Sequence, residues 1–402
     1  MHTQEAETSV VAKTETKAET ENEIQIEADQ EIKIEAEAEA EKSIKPSDQG
    51  MMSILNKSQE DLLFVEKILS KEVPTYRQAY SDRTAWLMAC LAELAYLRFN
   101  PLFSNDAMQS YFDKNVTRLI KDSRLESIHK LIKMFSHDPV KEKALLESDL
   151  SIIRLKLDKT FDNGGSQAIM VSTDEFVVLA FRGTESTCPR DIKSDFRANR
   201  VLCASGGMVH SGFSAAYEQI SFEIERTLAL PANKHKPLFI TGHSLGGALA
   251  TIAAKRISHQ GGIAACYTFG SPRVGDAIWM SEIKAPLYRI VNAADCVTMM
   301  PPGGEMVELT SKILSLLPFC RPFATWFQKR FGDYLHSGDM RYLTNCVNGN
   351  YEQVSLLYSV SWLYRIMGVW KNKIAASNTI ADHSMSIYRK KLAIIARKRN
   401  LD

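Results

Sequence analysis

Apolar residues recur along this chain in two rhythms, and the change between them falls near residue 149. Before it, SQEDLLFVEKILSK (58–71) and RTAWLMACLAELAYLRF (83–99) carry apolar side chains at helical spacing. In the second, Trp86, Cys90, Leu94 and Leu97 share one stripe. Segment 115–135, with Leu119, Ile128, Leu131, Ile132 and Phe135, reads as a further helix. None of these carries a catalytic pattern, and packing onto a neighbouring domain is their expected role. After residue 149, SIIRLKL (151–157), QAIMV (167–171) and FVVLAF (176–181) are short β-rich runs between Asp-Asn-Gly-Gly and Thr-Asp-Glu turns. A helical run over 213–230 follows, then the strand PLFIT (237–241) and the helix SLGGALATIAAKRI (244–257). The strands IAACYTF (263–269) and LYRIVN (287–292) come next, and MRYL (340–343) reads as an edge strand. Strands that alternate with helices and are apolar throughout predict an α/β fold: a mostly parallel sheet covered on both faces.

Charge divides the chain differently. Residues 1–50 hold 14 acidic and 5 basic side chains, against 34 and 44 in the remainder. That acidic, low-complexity tail has no aromatic residue and too little apolar surface to offset the entropy of ordering, so disorder is expected over 1–50. Three regions result: the tail (1–50), a helical N-terminal region packing on the core (51–145) and a catalytic domain (146–402). Seven scattered cysteines without a CxxC pair suit buried thiols in a reducing compartment. With no apolar stretch typical of a secretory signal or a membrane span, the expected location is the cytoplasm, with peripheral membrane contact as an option. A nucleic-acid partner is not expected.

The chemistry gathers at Gly242-His243-Ser244-Leu245-Gly246, a Gly-x-Ser-x-Gly motif between an apolar strand and a helix. In that context the turn holds Ser244 in a strained conformation at the sheet edge, and the new helix turns free N–H groups towards a developing oxyanion. A serine hydroxyl needs a base and an orienting carboxylate, which follow it in the order Ser, Asp, His. Asp295, just past the strand LYRIVN, suits the acid better than Asp276, which sits in a structural Pro-Arg-Val-Gly-Asp turn. Of the histidines after Ser244, His259 lies near the far end of the elbow helix and points away. His336 and His383 both remain open on spacing.

These motifs closely resemble the class 3 lipases, the family of the fungal triacylglycerol lipases. The resemblance is carried by Phe181-Arg182-Gly183-Thr184-Glu185, VHSGF (209–213), TGHSLGGALA (241–250), TFGSPRVGD (268–276), RIVNAADCVTMMPP (289–302), YLHSG (334–338) and DHSMSIY (382–388). It implies an α/β-hydrolase fold with Ser244 as nucleophile, Asp295 as acid and His383 as base, His336 being structural in the family. It also implies an oxyanion hole built from the backbone N–H groups of Thr184 and Leu245. Arg182 becomes a structural ion-pair partner, and His243 packs beneath the site. No metal or cofactor is implied. The expected substrate is a lipid ester, an acylglycerol or the acyl ester of a phospholipid, and oligomeric state is not indicated.

Three other readings stay open: a catalytically silent lipid-binding or scaffold protein, an esterase for small soluble esters, and acyl transfer to an alcohol. The complete Ser-Asp-His set argues against the silent copy. Two departures from the family matter. Where fungal members carry an amphipathic lid, this chain reads ESTCPRDIKSDFRANR (185–200), mostly charged, which puts lid closure in question. Two further stretches, KILSLLPFCRPFATWFQKRF (312–331) and VSLLYSVSWLYRIMGVW (354–370), are rich in Leu, Phe and Trp with interspersed Arg and Lys. They read either as core helices or as a cap or surface in contact with lipid.

Overall fold

The computed structural model describes residues 58–75, 79–97, 138–163, 165–183, 199–346, 349–361, 363–365, 367 and 381–400. The acidic tail, the helix expected over 115–135, Thr184 and most of the charged segment after it lie outside them. In chain order the elements are α1 (Gln59–Leu69), α2 (Asp82–Leu94), α3 (Pro139–Ile152), β1 (Lys156–Asn163), β2 (Ser166–Ser172), β3 (Val177–Phe181), β4 (Arg200–Leu202), β5 (Met208–His210), α4 (Ser211–Leu228) and β6 (Leu238–His243). There follow α5 (Leu245–Arg256), β7 (Ile263–Phe269), α6 (Ala277–Ser281), β8 (Leu287–Asn292), α7 (Gly304–Ser315), α8 (Arg321–Phe331), β9 (Asp339–Leu343), β10 (Leu356–Leu357) and α9 (Met385–Asn400).

Eight strands make one sheet in the order β1-β2-β3-β6-β7-β8-β9-β10. The run β3-β6-β7-β8-β9 is parallel, while β1-β2-β3 and β9-β10 are antiparallel. This is a mostly parallel α/β sheet. Its central strands β3 and β6 are buried at every position, as the apolar runs Val177–Phe181 and Leu238–Ile240 require. On one face, α1, α2, α3 and α9 bury Trp86, Leu91, Tyr388 and Leu392 against Tyr267, Phe269 and Ile290. On the other, α4 and α5 bury Tyr217, Ile224, Leu249 and Ile252 against Ile240 and Cys266. Among the described residues no helix is long and apolar enough to cross a membrane.

Three local expectations are corrected. SIIRLKL is not all strand: Ser151 and Ile152 end α3, Arg154 turns the chain at φ 58°, and β1 starts at Lys156. The helix wins because Asp138 caps its start, accepting from the Val140 and Lys141 amides, and Pro139 opens its first turn. MRYL is not at the edge, because β10 pairs outside it. Nor does α2 bury one stripe only. Ala85, Leu87, Met88, Leu91 and Ala92 are as buried as Trp86 and Cys90, since the helix is packed both on the sheet and on α9.

Candidate active site

Strand β6 ends in the elbow. Ser244 sits at φ 57°, ψ −125°, a conformation that costs an L-residue energy and persists only where the surroundings enforce it. Here Gly242 and Gly246 make it possible, since a Cβ on Gly242 would run into the Gly246 carbonyl and one on Gly246 into the Phe181 carbonyl. The Ser244 amide is tied to the Phe269 carbonyl at 2.9 Å, fixing the elbow to the end of β7. Leu245 is the first residue of α5, so its N–H has no acceptor within the helix and stays available beside Ser244.

His383 Nε2 lies 2.8 Å from Ser244 Oγ. Its Nδ1 lies 2.9 Å and 3.0 Å from the two oxygens of Asp295. A carboxylate can only accept, so Nδ1 carries the ring proton and the Nε2 lone pair faces the serine hydroxyl. The structure therefore brings Ser244, His383 and Asp295 into one hydrogen-bonded line. Thr184 lies outside the described residues. His336 is remote from this line: its Nε2 bonds the Thr298 carbonyl at 2.7 Å, and the residue is half-buried. Burial first, and then Arg289 and Arg273, push its pKa well below the ordinary histidine value. His259 bonds the Lys236 carbonyl beyond the end of α5. Asp276 caps α6 through Trp279 N and also accepts from Met208 N, both at 2.8 Å. Arg182 bonds the Gln167 side chain.

Asp295 is wholly buried, and its charge is held by donors. Besides His383 it accepts from Val297 N at 2.9 Å and from the Tyr388 hydroxyl at 2.6 Å. Tyr388 in turn accepts from Asn292 N at 2.9 Å, and burial beside Asp295 pushes its pKa well up, so it stays a donor. Asn292 Nδ2 donates to the Asp382 carbonyl at 2.8 Å, joining the end of β8 to the turn that carries His383. Arg365 Nη2 donates to the Asp295 carbonyl at 2.9 Å, from the middle of the apolar stretch 354–370.

A second histidine sets the position of the first. His243 Nε2 lies 2.7 Å from the His383 carbonyl, and its Nδ1 lies 2.8 Å from the Tyr96 hydroxyl. Burial drives its pKa far down, so it is neutral; Nε2–H donates to the carbonyl and Nδ1 accepts from Tyr96. The Tyr96 hydroxyl also bonds the Gly183 backbone, one residue before Thr184. Gly270, at φ +58°, lies against the acid–base pair: a Cβ there would stand 2.8 Å from Asp295 Oδ2 and 3.0 Å from His383 Nδ1. Tyr96, Tyr388, Arg365 and Gly270 went unmarked as site residues in the sequence. A lone Arg in an apolar run and a Gly in a motif are weak signals, and the two tyrosines sit on helical stripes that read as packing. Among the described residues no group of three or more His, Cys, Asp or Glu is arranged to hold a metal ion.

Residues 178–305 match the family of class 3 lipases. A secreted mono- and diacylglycerol lipase 1 from Fusarium solani is 30% identical over 164 residues, covering 39% of this chain and 49% of the relative. A lipase from Rhizomucor miehei is 30% identical over 167 residues, 39% of this chain and 46% of its own. Phospholipase A(1) DAD1, chloroplastic, from Arabidopsis thaliana is 32% identical over 184 residues, 38% of this chain and 39% of its own. The chain thus spans about half the length, or less, of these curated relatives. Among solved structures, lipase II from Rhizopus niveus superposes with a TM-score of 0.42 at 22% identity, over 60% of this chain and 82% of that one. The expected cytoplasmic location does not stand, because the relatives from Fusarium solani and Penicillium cyclopium are named as secreted. Cys90 and Cys266 are fully buried, and a buried thiol stays unpaired in either redox environment.

Proposed function

We propose, from the match of residues 178–305 to the class 3 lipases, that the chain hydrolyses carboxylic esters of lipids. In this reading Ser244 is the nucleophile, His383 the general base and Asp295 the group that orients the base. The observation that carries it is the continuous hydrogen-bonded line Ser244–His383–Asp295, with its 2.8 Å contact between base and hydroxyl. His383 takes the hydroxyl proton as Oγ attacks the ester carbonyl, and Asp295 offsets the imidazolium that forms. The tetrahedral oxyanion is met by the amides of Leu245 and Thr184. His383 then returns the proton to the leaving alcohol, and water attacks the acyl-enzyme by the same path in reverse. Loss of one oxyanion donor from such a site costs about 10²–10³-fold in rate.

The substrate class is the ester of a glycerolipid, an acylglycerol or a phospholipid acyl ester. Relatives named as mono- and diacylglycerol lipase and as phospholipase A(1) support both. Such esters reside in aggregates, so turnover takes place at a lipid surface. Purified protein incubated with a mixed lipid extract should release free fatty acids whose parent lipids identify the substrate, and Ser244→Ala should release none. Turnover of small soluble esters without release from any lipid would reduce the reading to a soluble esterase. Absence of all turnover in a folded protein would leave only the silent lipid-binding fold.

A further inference from the structure

The hairpin α7–α8 grows directly out of the acid loop, since Asp295, a 3-10 turn over Val297–Met299 and Pro301 lead into Gly304. The two helices meet through small side chains, with Ser311 Oγ donating to the Ala324 carbonyl at 3.3 Å. Val307, Ser311 and Ala324 are their buried residues. The closed end of the hairpin is apolar and turned to water: Leu316 and Phe319 are 79% exposed and Phe323 and Trp326 are 53% exposed. Ile313 and Leu317 are exposed beside them, and the Phe323 and Trp326 rings stack at 5.5 Å. Core helices would bury these six side chains, so the core reading of 312–331 fails; the sequence is instead that of a surface made to be covered.

Its charge says by what. From Leu309 to Phe331 the chain carries Lys312, Arg321, Lys329 and Arg330 and no acidic residue. Lys312 pairs with Glu308 one turn earlier, while Arg321 and Lys329 are exposed. Aromatic rings flanked by cations suit the boundary between headgroups and acyl chains of an acidic lipid surface. We infer that the tip of this hairpin, Ile313 to Trp326 with Arg321 and Lys329, is a docking surface for an anionic phospholipid bilayer. Docking there brings the end of the sheet that carries Ser244 to the lipid. The purpose rests on the lipid-esterase reading above, but the binding does not require the triad.

The test is vesicle flotation of the full chain carrying Ser244→Ala, so that the lipids stay intact. Vesicles of phosphatidylcholine alone are compared with equal parts phosphatidylcholine and phosphatidylglycerol. The protein floats with the acidic vesicles, and binding weakens as salt rises. Phe319→Ser/Phe323→Ser/Trp326→Ser weakens it by about tenfold or more. Arg321→Gln/Lys329→Gln weakens it by about fivefold per residue on acidic vesicles only. Made in the chain that keeps Ser244, both variants retain turnover of a short soluble ester and the parent's cooperative unfolding. Equal binding to neutral and acidic vesicles, or parent-like binding by the aromatic variant, overturns the surface. So does a parent dimer that ignores vesicles and is dissolved by the aromatic variant, since the face then mates copies of the chain. Vesicle binding without any ester turnover by the parent keeps the surface and removes the enzymatic reading; turnover without vesicle binding does the converse.

Discussion

Tyr388→Phe removes one oxygen from the support of the buried acid and leaves the ring packing in place. The lost O–H···O contact is 2.6 Å long, and its acceptor, Asp295, is fully buried. A hydrogen bond to a charged group contributes about 1.5–3 kcal/mol. The same oxygen accepts from Asn292 N, so the variant also strands a buried N–H, at about 1–3 kcal/mol. These overlap, and a total loss of about 2–4 kcal/mol in folding stability is expected. Turnover of a short soluble ester should fall with it, since Asp295 then holds the His383 ring with one anchor fewer. Urea unfolding gives the stability and a rate assay gives the turnover. A variant with parent stability and parent turnover would refute the account of how Asp295 is held.

Gly270→Ala places a methyl group 2.8 Å from Asp295 Oδ2 at a left-handed backbone position, so it should cost about 1–2 kcal/mol in stability and most of the ester turnover. Near-parent turnover would show that the acid–base pair has slack the structure does not display. Tyr96→Phe frees the His243 tautomer and the Gly183 backbone together; kcat should fall about tenfold or more with KM little changed, and an unchanged kcat would make Tyr96 a packing residue only. Acid stability is set by buried neutral histidines. Burial lowers His210 to about 4 and holds His243 and His336 well below 6.5. The unfolded chain takes up these protons near pH 6.5, while folded His210 resists until about pH 4 and folded His243 and His336 stay neutral well below 6.5. Stability is therefore complete above pH 6.5 and falls as pH drops through that window. Unfolding free energies measured across it should show the slope, and a flat profile would contradict the burial of these rings.

The strands and the elbow were legible because their signals are local: PLFIT, IAACYTF and LYRIVN are short, largely apolar runs bounded by turns, and Gly242 and Gly246 flank the serine. The choice of base was not legible from spacing, since His336 and His383 both follow Asp295; only resemblance favoured one, and the distinction is made by tertiary contacts 139 residues apart in sequence. The same holds for Tyr388 and Tyr96, whose apolar bodies fit helical stripes while their hydroxyls reach Asp295 and His243. The stretch 312–331 was undecidable for a related reason. Periodicity reports that a helix has an apolar face and says nothing of whether anything covers it.

Covalent labelling of the folded chain with a fluorophosphonate, followed by peptide mapping, tests the central claim most directly. The account predicts one modified residue, Ser244, with labelling lost in His383→Ala and largely kept in His336→Ala. Labelling at another serine, or labelling that depends on His336 and not on His383, would contradict it.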